Sequence, residues 1–128
     1  MPRSEETTFL NVDLDLKSRF GLSKLLSALG TSVVPLHAED GFACLELDEQ
    51  PESPEEAVTR LATLITHLPV EAREEWDRCS ERTLDIGIQS GATPHQVRYR
   101  LPVATLALAA SINAEVVITV YACSSPSP

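Results

Sequence analysis

Asp13 and Asp15 stand in the alternating run Leu10 to Lys17, and no other pair of side chains in this chain is better spaced to do chemistry. In an extended strand every second side chain points to the same face, so the two carboxylates would flank one spot on a sheet. Together with a third oxygen ligand they could share a hard cation such as Mg²⁺ or Mn²⁺, and Asp85, in another alternating run, is the natural third. Two carboxylates do not complete a metal site, and the competing reading is a strand face kept wet by acids. On that reading the chain has no metal site and needs no cofactor.

The remaining reactive groups are scattered. His37, His67 and His95 fall in three separate segments, without the i, i+4 spacing of a helical metal pair. His67, near a helix end, reads as a partner for the helix dipole. Cys44, Cys79 and Cys123 are an odd number at wide spacing, which fits neither a disulfide scaffold nor a zinc site and suits a reducing compartment. Cys44 lies inside a strand-like run and reads as a small buried apolar residue, not a nucleophile. The five glycines form no phosphate-binding pattern. No catalytic residue is assigned, and the chain is read as a binding protein before an enzyme.

Charge offers a stronger signal. Between Lys24 and Arg60 there is no Lys or Arg, yet Glu39, Asp40, Glu46, Asp48, Glu49, Glu52, Glu55 and Glu56 all fall there. This block supplies most of a formal net charge of -9, and unbalanced charge concentrated in one stretch produces a local negative potential. It would attract a basic protein partner and repel nucleic acid; the alternative is a solvated face that keeps the chain soluble. Arg98 and Arg100 flank Tyr99 in a way that could grip phosphate, but ten cations against nineteen acids oppose it.

These groups must be positioned by a small set of elements. Leu10, Val12, Leu14 and Leu16 alternate with polar residues, as a strand with one wet face requires. Leu22, Leu25, Leu26 and Leu29 follow helical spacing, and Gly30 suits the helix end. Ser32 to Leu36 reads as an edge strand because Pro35 cannot donate to a ladder. Asp40-Gly41 is a hairpin turn into a strand from Phe42 to Leu47. Ser53-Pro54-Glu55-Glu56 opens a helix with a capping box. Pro69 ends it, and a further helix from Val70 to Cys79 turns Trp76 inward. Leu84, Ile86 and Ile88 mark another strand. Alternation of Val97, Tyr99 and Leu101 with Arg98 and Arg100 predicts a short strand, followed by a helix opened by Pro102 and packed through Val103, Leu106, Ala107 and Ala110. Glu115 to Tyr121 is the last strand.

Strands of this kind interleaved with helices imply an α+β two-layer sandwich of ferredoxin-like type, a mixed or antiparallel sheet with helices mainly on one face. A chain of 128 residues, 43% hydrophobic but only 5% aromatic, suffices for one domain with a core of Leu, Val, Ile and Ala. That domain is expected over residues 8–123, between a disordered start (1–7) and a disordered tail (124–128). The opening residues carry no secretory pattern, and the apolar stretch Leu101 to Ile112 is too short to span a bilayer, so a cytoplasmic setting is expected.

The last two-thirds of the chain, from the helix at Glu55 to Leu68 through LDIGIQ and RLPVATLALAASINAEVVITVY to Tyr121, resembles a bacterial family of domains of unknown function. The resemblance implies a ferredoxin-like α+β core and a bacterial, cytosolic setting, with some relatives acting as immunity proteins beside toxins. It implies no catalytic residues. The chain lacks the Gly- and Trp-bearing insert that the family pattern has after its second strand.

Three readings of function follow. The first is an acidic binding protein, most concretely an immunity protein that occludes the basic cleft of a toxin, with Phe42 and Trp76 as candidate anchors. The second is a small metal- or ligand-binding enzyme domain with a pocket between sheet and helices lined by Asp13, Asp15 and Asp85. The third is a homo-oligomeric scaffold, for instance a homodimer, paired through the strand at Glu115 to Tyr121 or the one broken by Pro35.

Overall fold

The alternating leucines of the first segment become a central strand because each buries one face and wets the other. In the computed structural model, which describes residues 6–123, β1 runs Thr8–Lys17 with Val12, Leu14 and Leu16 fully buried. It is followed by α1 (Ser23–Leu29), a 3₁₀ turn (Gly30–Ser32), β2 (Val33–Glu39), β3 (Phe42–Leu47), α2 (Pro54–Thr66), α3 (Val70–Asp77), β4 (Glu81–Gln89), α4 (Val103–Ser111) and β5 (Glu115–Tyr121). The expected disorder at residues 1–5 and 124–128 lies outside the described residues. Glu6 bridges to Thr93, and the Thr7 amide donates to the Thr93 carbonyl at 2.8 Å.

The sheet has the order β2-β3-β1-β4-β5, antiparallel throughout except for the parallel pair β4·β5. Its first four strands take the ferredoxin-like order β2-β3-β1-β4, and α4 supplies the crossover that a parallel neighbour requires. Among the described residues all four α-helices contribute to one hydrophobic core on one face of the sheet, an α+β sandwich. That core unites Leu25 and Leu29, Val58, Leu61 and Ile65, Trp76 and Ala109 with the inward side chains of β1, β3 and β4. Since side chains alternate along a strand, burying Val12, Leu14 and Leu16 forces Asn11, Asp13 and Asp15 onto the opposite face, where no helix covers them among the described residues.

Local signals explain the helix ends. The Ser53 hydroxyl accepts from the Glu56 amide at 3.1 Å, with Pro54 opening the helix. Glu56 Oε1 reaches back to the Glu52 amide at 2.8 Å, one residue earlier than a capping box prescribes. Arg82 closes the other end of the helix pair: its Nη1 donates to the carbonyls of Trp76 (3.1 Å) and Cys79 (2.6 Å), and its Nε to that of Asn113 (3.0 Å).

Two expectations are corrected. Residues 97–101 form no strand: the strand before them, β4, is already paired on both sides, by β1 and β5, and the segment joins neither edge of the sheet. Arg98 and Arg100 therefore sit in a loop, not on a strand face. The α4 stripe Val103, Leu106, Ala107 and Ala110 faces outward, while Thr105 and Ala109 turn into the core. With almost every residue of VATLALAAS apolar or small, no amphipathic contrast marks which side of this helix belongs inside.

Candidate functional site: an acidic, helix-free sheet face

Three neighbouring strands bring the carboxylates together. In the β1–β4 register Asp13 lies opposite Asp85 and Asp15 opposite Thr83, and across β3 Asp15 meets Cys44. Glu46, two residues beyond Cys44 on the same face, completes the cluster. Its Oε2 accepts from Asn11 Nδ2 at 3.0 Å, and Asp85 Oδ1 accepts from the Thr119 hydroxyl at 2.7 Å. Glu39, Glu81 and Glu115 extend the same face outward, since they stand in register with Phe42, Lys17 and Thr83. Lys17 brings a cation to this surface, and Glu81 engages it at 3.7 Å.

Electrostatic crowding is concentrated at Asp13. Partial burial, then the nearby charges of Asp15, Glu46 and Asp85, raise its pKa from 3.8 to about 6. The folded chain therefore holds this proton more tightly than the unfolded chain does. The cost of ionising Asp13 is absent below about pH 4, grows as pH rises through about 6, and is complete at neutral pH. Asp13→Asn removes that cost and should stabilise the chain by about 1–2 kcal/mol at pH 7.5, the shift being discounted for solvent screening. At pH 4 the gain should vanish. Urea midpoints of both chains at the two pH values check it; an equal effect at both would show that charge is not the cause.

The thiols are held protonated. Burial, a hydrogen bond to Asp15 and the charges of Asp15, Asp13 and Glu46 push Cys44 up to about 12. Burial likewise pushes Cys79 up to about 11, against the opposing pull of Arg82. Both are poor nucleophiles in this setting, whereas Cys123 is exposed.

The acidic block singled out from the sequence does not form one face. Glu39 and Asp40 lie at the β2–β3 turn, and Glu39 pairs with His37 at 2.5 Å. Glu46 belongs to the sheet cluster. Asp48 and Glu49 follow the far end of β3 and line a cleft of about 440 Å³ with Thr31, Ser32, Thr59 and Arg60. Glu52, Glu55 and Glu56 gather at the start of α2, where Arg60 reaches Glu56 (3.7 Å) and Glu49 (3.4 Å). Part of the block is thus matched locally, by Arg60 and His37, and of its eight acids only Glu46 belongs to the sheet cluster.

Asp13, Asp15 and Asp85 do not line a pocket between sheet and helices, as the enzyme reading supposed. They are on the face away from the helices because the leucines between them take the inner side. Among the described residues no group of three His, Cys, Asp or Glu side chains is placed to hold a metal ion. Trp76 is fully buried and is unavailable as an interface anchor. Phe42 remains half-buried on the acidic face, its ring 5.4 Å from that of His37. Tyr99 packs against Phe9 with ring centroids 6.4 Å apart, and Arg98, Tyr99 and Arg100 line an open cleft of about 530 Å³. His67 Nδ1 lies 2.8 Å from the Thr63 carbonyl at the end of α2.

The contribution of Glu46 was available in the sequence, since it alternates with Leu45 and Leu47; that it sits beside Asp13 depends on the β1–β3 register. Among the described residues no helix is long and apolar enough to cross a membrane. Compared with known proteins, the chain matches no family model, no curated protein and no solved structure.

Proposed function

We propose that this chain is a binding protein for a basic protein partner, which docks on the helix-free face of the sheet. The observation that carries this reading is the cluster of Asp13, Asp15, Glu46 and Asp85, with Asp13 raised to about 6 by burial and by its like-charged neighbours. A cationic group set over this cluster would relieve the repulsion and favour ionised Asp13. Complementary potential of this kind speeds encounter and selects the partner. Phe42 supplies an apolar contact beside the acids. In its most concrete form the proposal is an immunity protein that covers the cationic substrate cleft of a toxin in the cytoplasm.

The test is affinity capture from the source organism's lysate by three tagged chains: wild type, Asp13→Asn/Glu46→Gln/Asp85→Asn, and Asp48→Asn/Glu49→Gln/Glu52→Gln. A stoichiometric basic partner that is released by salt and lost with the first variant alone supports the sheet face. Loss with the second variant alone moves the contact to the β3–α2 connection. Retention by all three chains, or by none, removes the proposal.

A small-ligand reading is favoured by one feature, the cleft of about 440 Å³ between β3 and α2, where Arg60 and Asp48 stand beside Leu47 and Leu64. Its size falls within the range of ligand sites. A rise in melting temperature with a small anion or metabolite, abolished by Arg60→Gln, would support it.

A further inference from the structure

The two edges of the sheet are built differently. At the β2 edge Pro35 lacks a backbone donor, the register shifts between Pro35 and His37, and His37 pairs with Glu39, all of which discourage another strand from joining. Among the described residues none of these devices is present at the β5 edge. β5 reads EVVITVY, is regular along its pairing with β4 from Glu115 to Tyr121, and has no second strand partner among the described residues. Every second residue of a strand in that position turns its N–H and C=O outward, unpaired.

On the helix side the surface beside this edge is apolar. Ile118 and Val120 are 62% and 60% exposed on the helix side of β5, although their register partners Ile86 and Ile88 are buried. The outward stripe of α4 carries Val103 (83% exposed) and Leu106 (45%). From Leu101 to Cys123 the single charged residue is Glu115, in a chain of net charge -9. A second copy of so acidic a molecule meets least repulsion where carboxylates are fewest, and along this edge Glu115 is the one it would meet.

We infer that two copies of the chain pair antiparallel along β5 about a two-fold axis at Ile118, forming a continuous ten-stranded sheet with the α4 helices side by side over the seam. With this register Val116 lies opposite Val120 of the second copy and Val117 opposite Thr119, β-branched pairs that suit a sheet. The two Glu115 side chains are carried to opposite ends, about 20 Å apart, well beyond the ~8 Å screening length at physiological salt. A two-fold axis normal to the sheet keeps all helices on one side and brings Ile118 and Val120 of the two copies together beneath them. The exposed apolar side chains of α4 and β5 offer on the order of 500 Å² per copy, and the strand backbone brings this near the ~800 Å² per partner of a stable interface. The acidic faces of both copies stay open on the other side.

Sedimentation velocity from 1 to 200 µM tests the pairing. The expected species at 10 µM has twice the 13.9 kDa mass of the chain. Ile118→Lys should raise the dimer dissociation constant at least 100-fold and give a monomer at that concentration, with an unchanged circular dichroism spectrum. Leu36→Lys, on the guarded β2 edge, should leave the dimer intact. Ile118→Cys in a Cys123→Ser background places two thiols across the axis and should oxidise to a covalent dimer, which checks the register even if Ile118→Lys fails to fold. A wild type that is monomeric throughout, a dimer that survives Ile118→Lys, or a dimer broken by Leu36→Lys would each overturn the inference.

Discussion

Replacing Trp76 by alanine should lower the stability of this chain by about 3–5 kcal/mol, the range for deleting a fully buried aromatic side chain. Trp76 is 0% exposed, and its indole Nε1 donates to the Ile112 carbonyl at 2.8 Å. It therefore fills the core below α3 and also ties that helix to the end of α4. Truncation leaves a cavity and strips the Ile112 carbonyl of its buried donor, two costs that add. Against a total of about 5–15 kcal/mol for a domain of ordinary stability, this is a large share. Because Trp76 is the only tryptophan, unfolding must be followed by far-UV circular dichroism instead of fluorescence. A fall in urea midpoint of roughly 2–3 M is expected for a slope of about 1.5 kcal/mol/M. A shift below about 0.5 M would mean that Trp76 does not pack as described.

Gly41→Ala should cost about 2–3 kcal/mol, through the backbone and not the core. Gly41 has φ +82, and a Cβ there would lie 2.6 Å from the Ser18 carbonyl oxygen. The same turn is held by the Ser18 amide donating to the Gly41 carbonyl at 2.9 Å. Both clashing groups are close to fixed, so relief requires the β2–β3 turn to move off the end of β1 and lose that bond. Gly21 is the control: its φ is +91, but a Cβ added there would meet nothing within 4 Å, so Gly21→Ala should cost only the left-handed strain of about 1 kcal/mol. In thermal melts the two variants should separate by several degrees, given roughly 3–6 °C per kcal/mol for a chain of this size. Equal losses would show that the approach to Ser18 is not the cause.

These two positions also show how the acidic face is held. Gly41 sets where β3 leaves the turn, and with it the register that brings Cys44 opposite Asp15. Trp76 and Arg82 join α3 to the segment after α4, which delivers β5 parallel to β4 and places the Thr119 hydroxyl on Asp85. A fault in either connection would alter the carboxylate cluster without touching an acid.

Much of this fold was legible residue by residue. Alternation in LNVDLDLK, the Asp40-Gly41 turn, the Ser53-Pro54 helix start and the β-branched run EVVITVY each specify their element through short-range sterics and burial, and each formed where expected. The same alternation assigned Asp13, Asp15 and Asp85 to the wet sides of their strands, whereas Glu46 was read only as part of the acidic block. Alternation failed at residues 97–101, where the period was correct but both sides of the preceding strand, β4, were taken by β1 and β5. It also failed at α4, where a helix apolar all round carries no contrast to orient it. The acidic block was visible only as composition, and the chain disperses it because Glu39 and Asp40 lie at one end of β3 and Asp48 and Glu49 at the other.

By itself, then, the sequence determined most of the elements, the Ser53 cap and the Asp40-Gly41 turn, the inner and outer sides of β1 and β4, and the excess of acid, because those depend on neighbours within a few positions. Strand order, the meeting of four carboxylates from three strands, the direction in which α4 faces and the unguarded edge of β5 were decided by tertiary structure. They depend on which distant segments compete for the same sheet edge and the same core, and no local pattern carries that information.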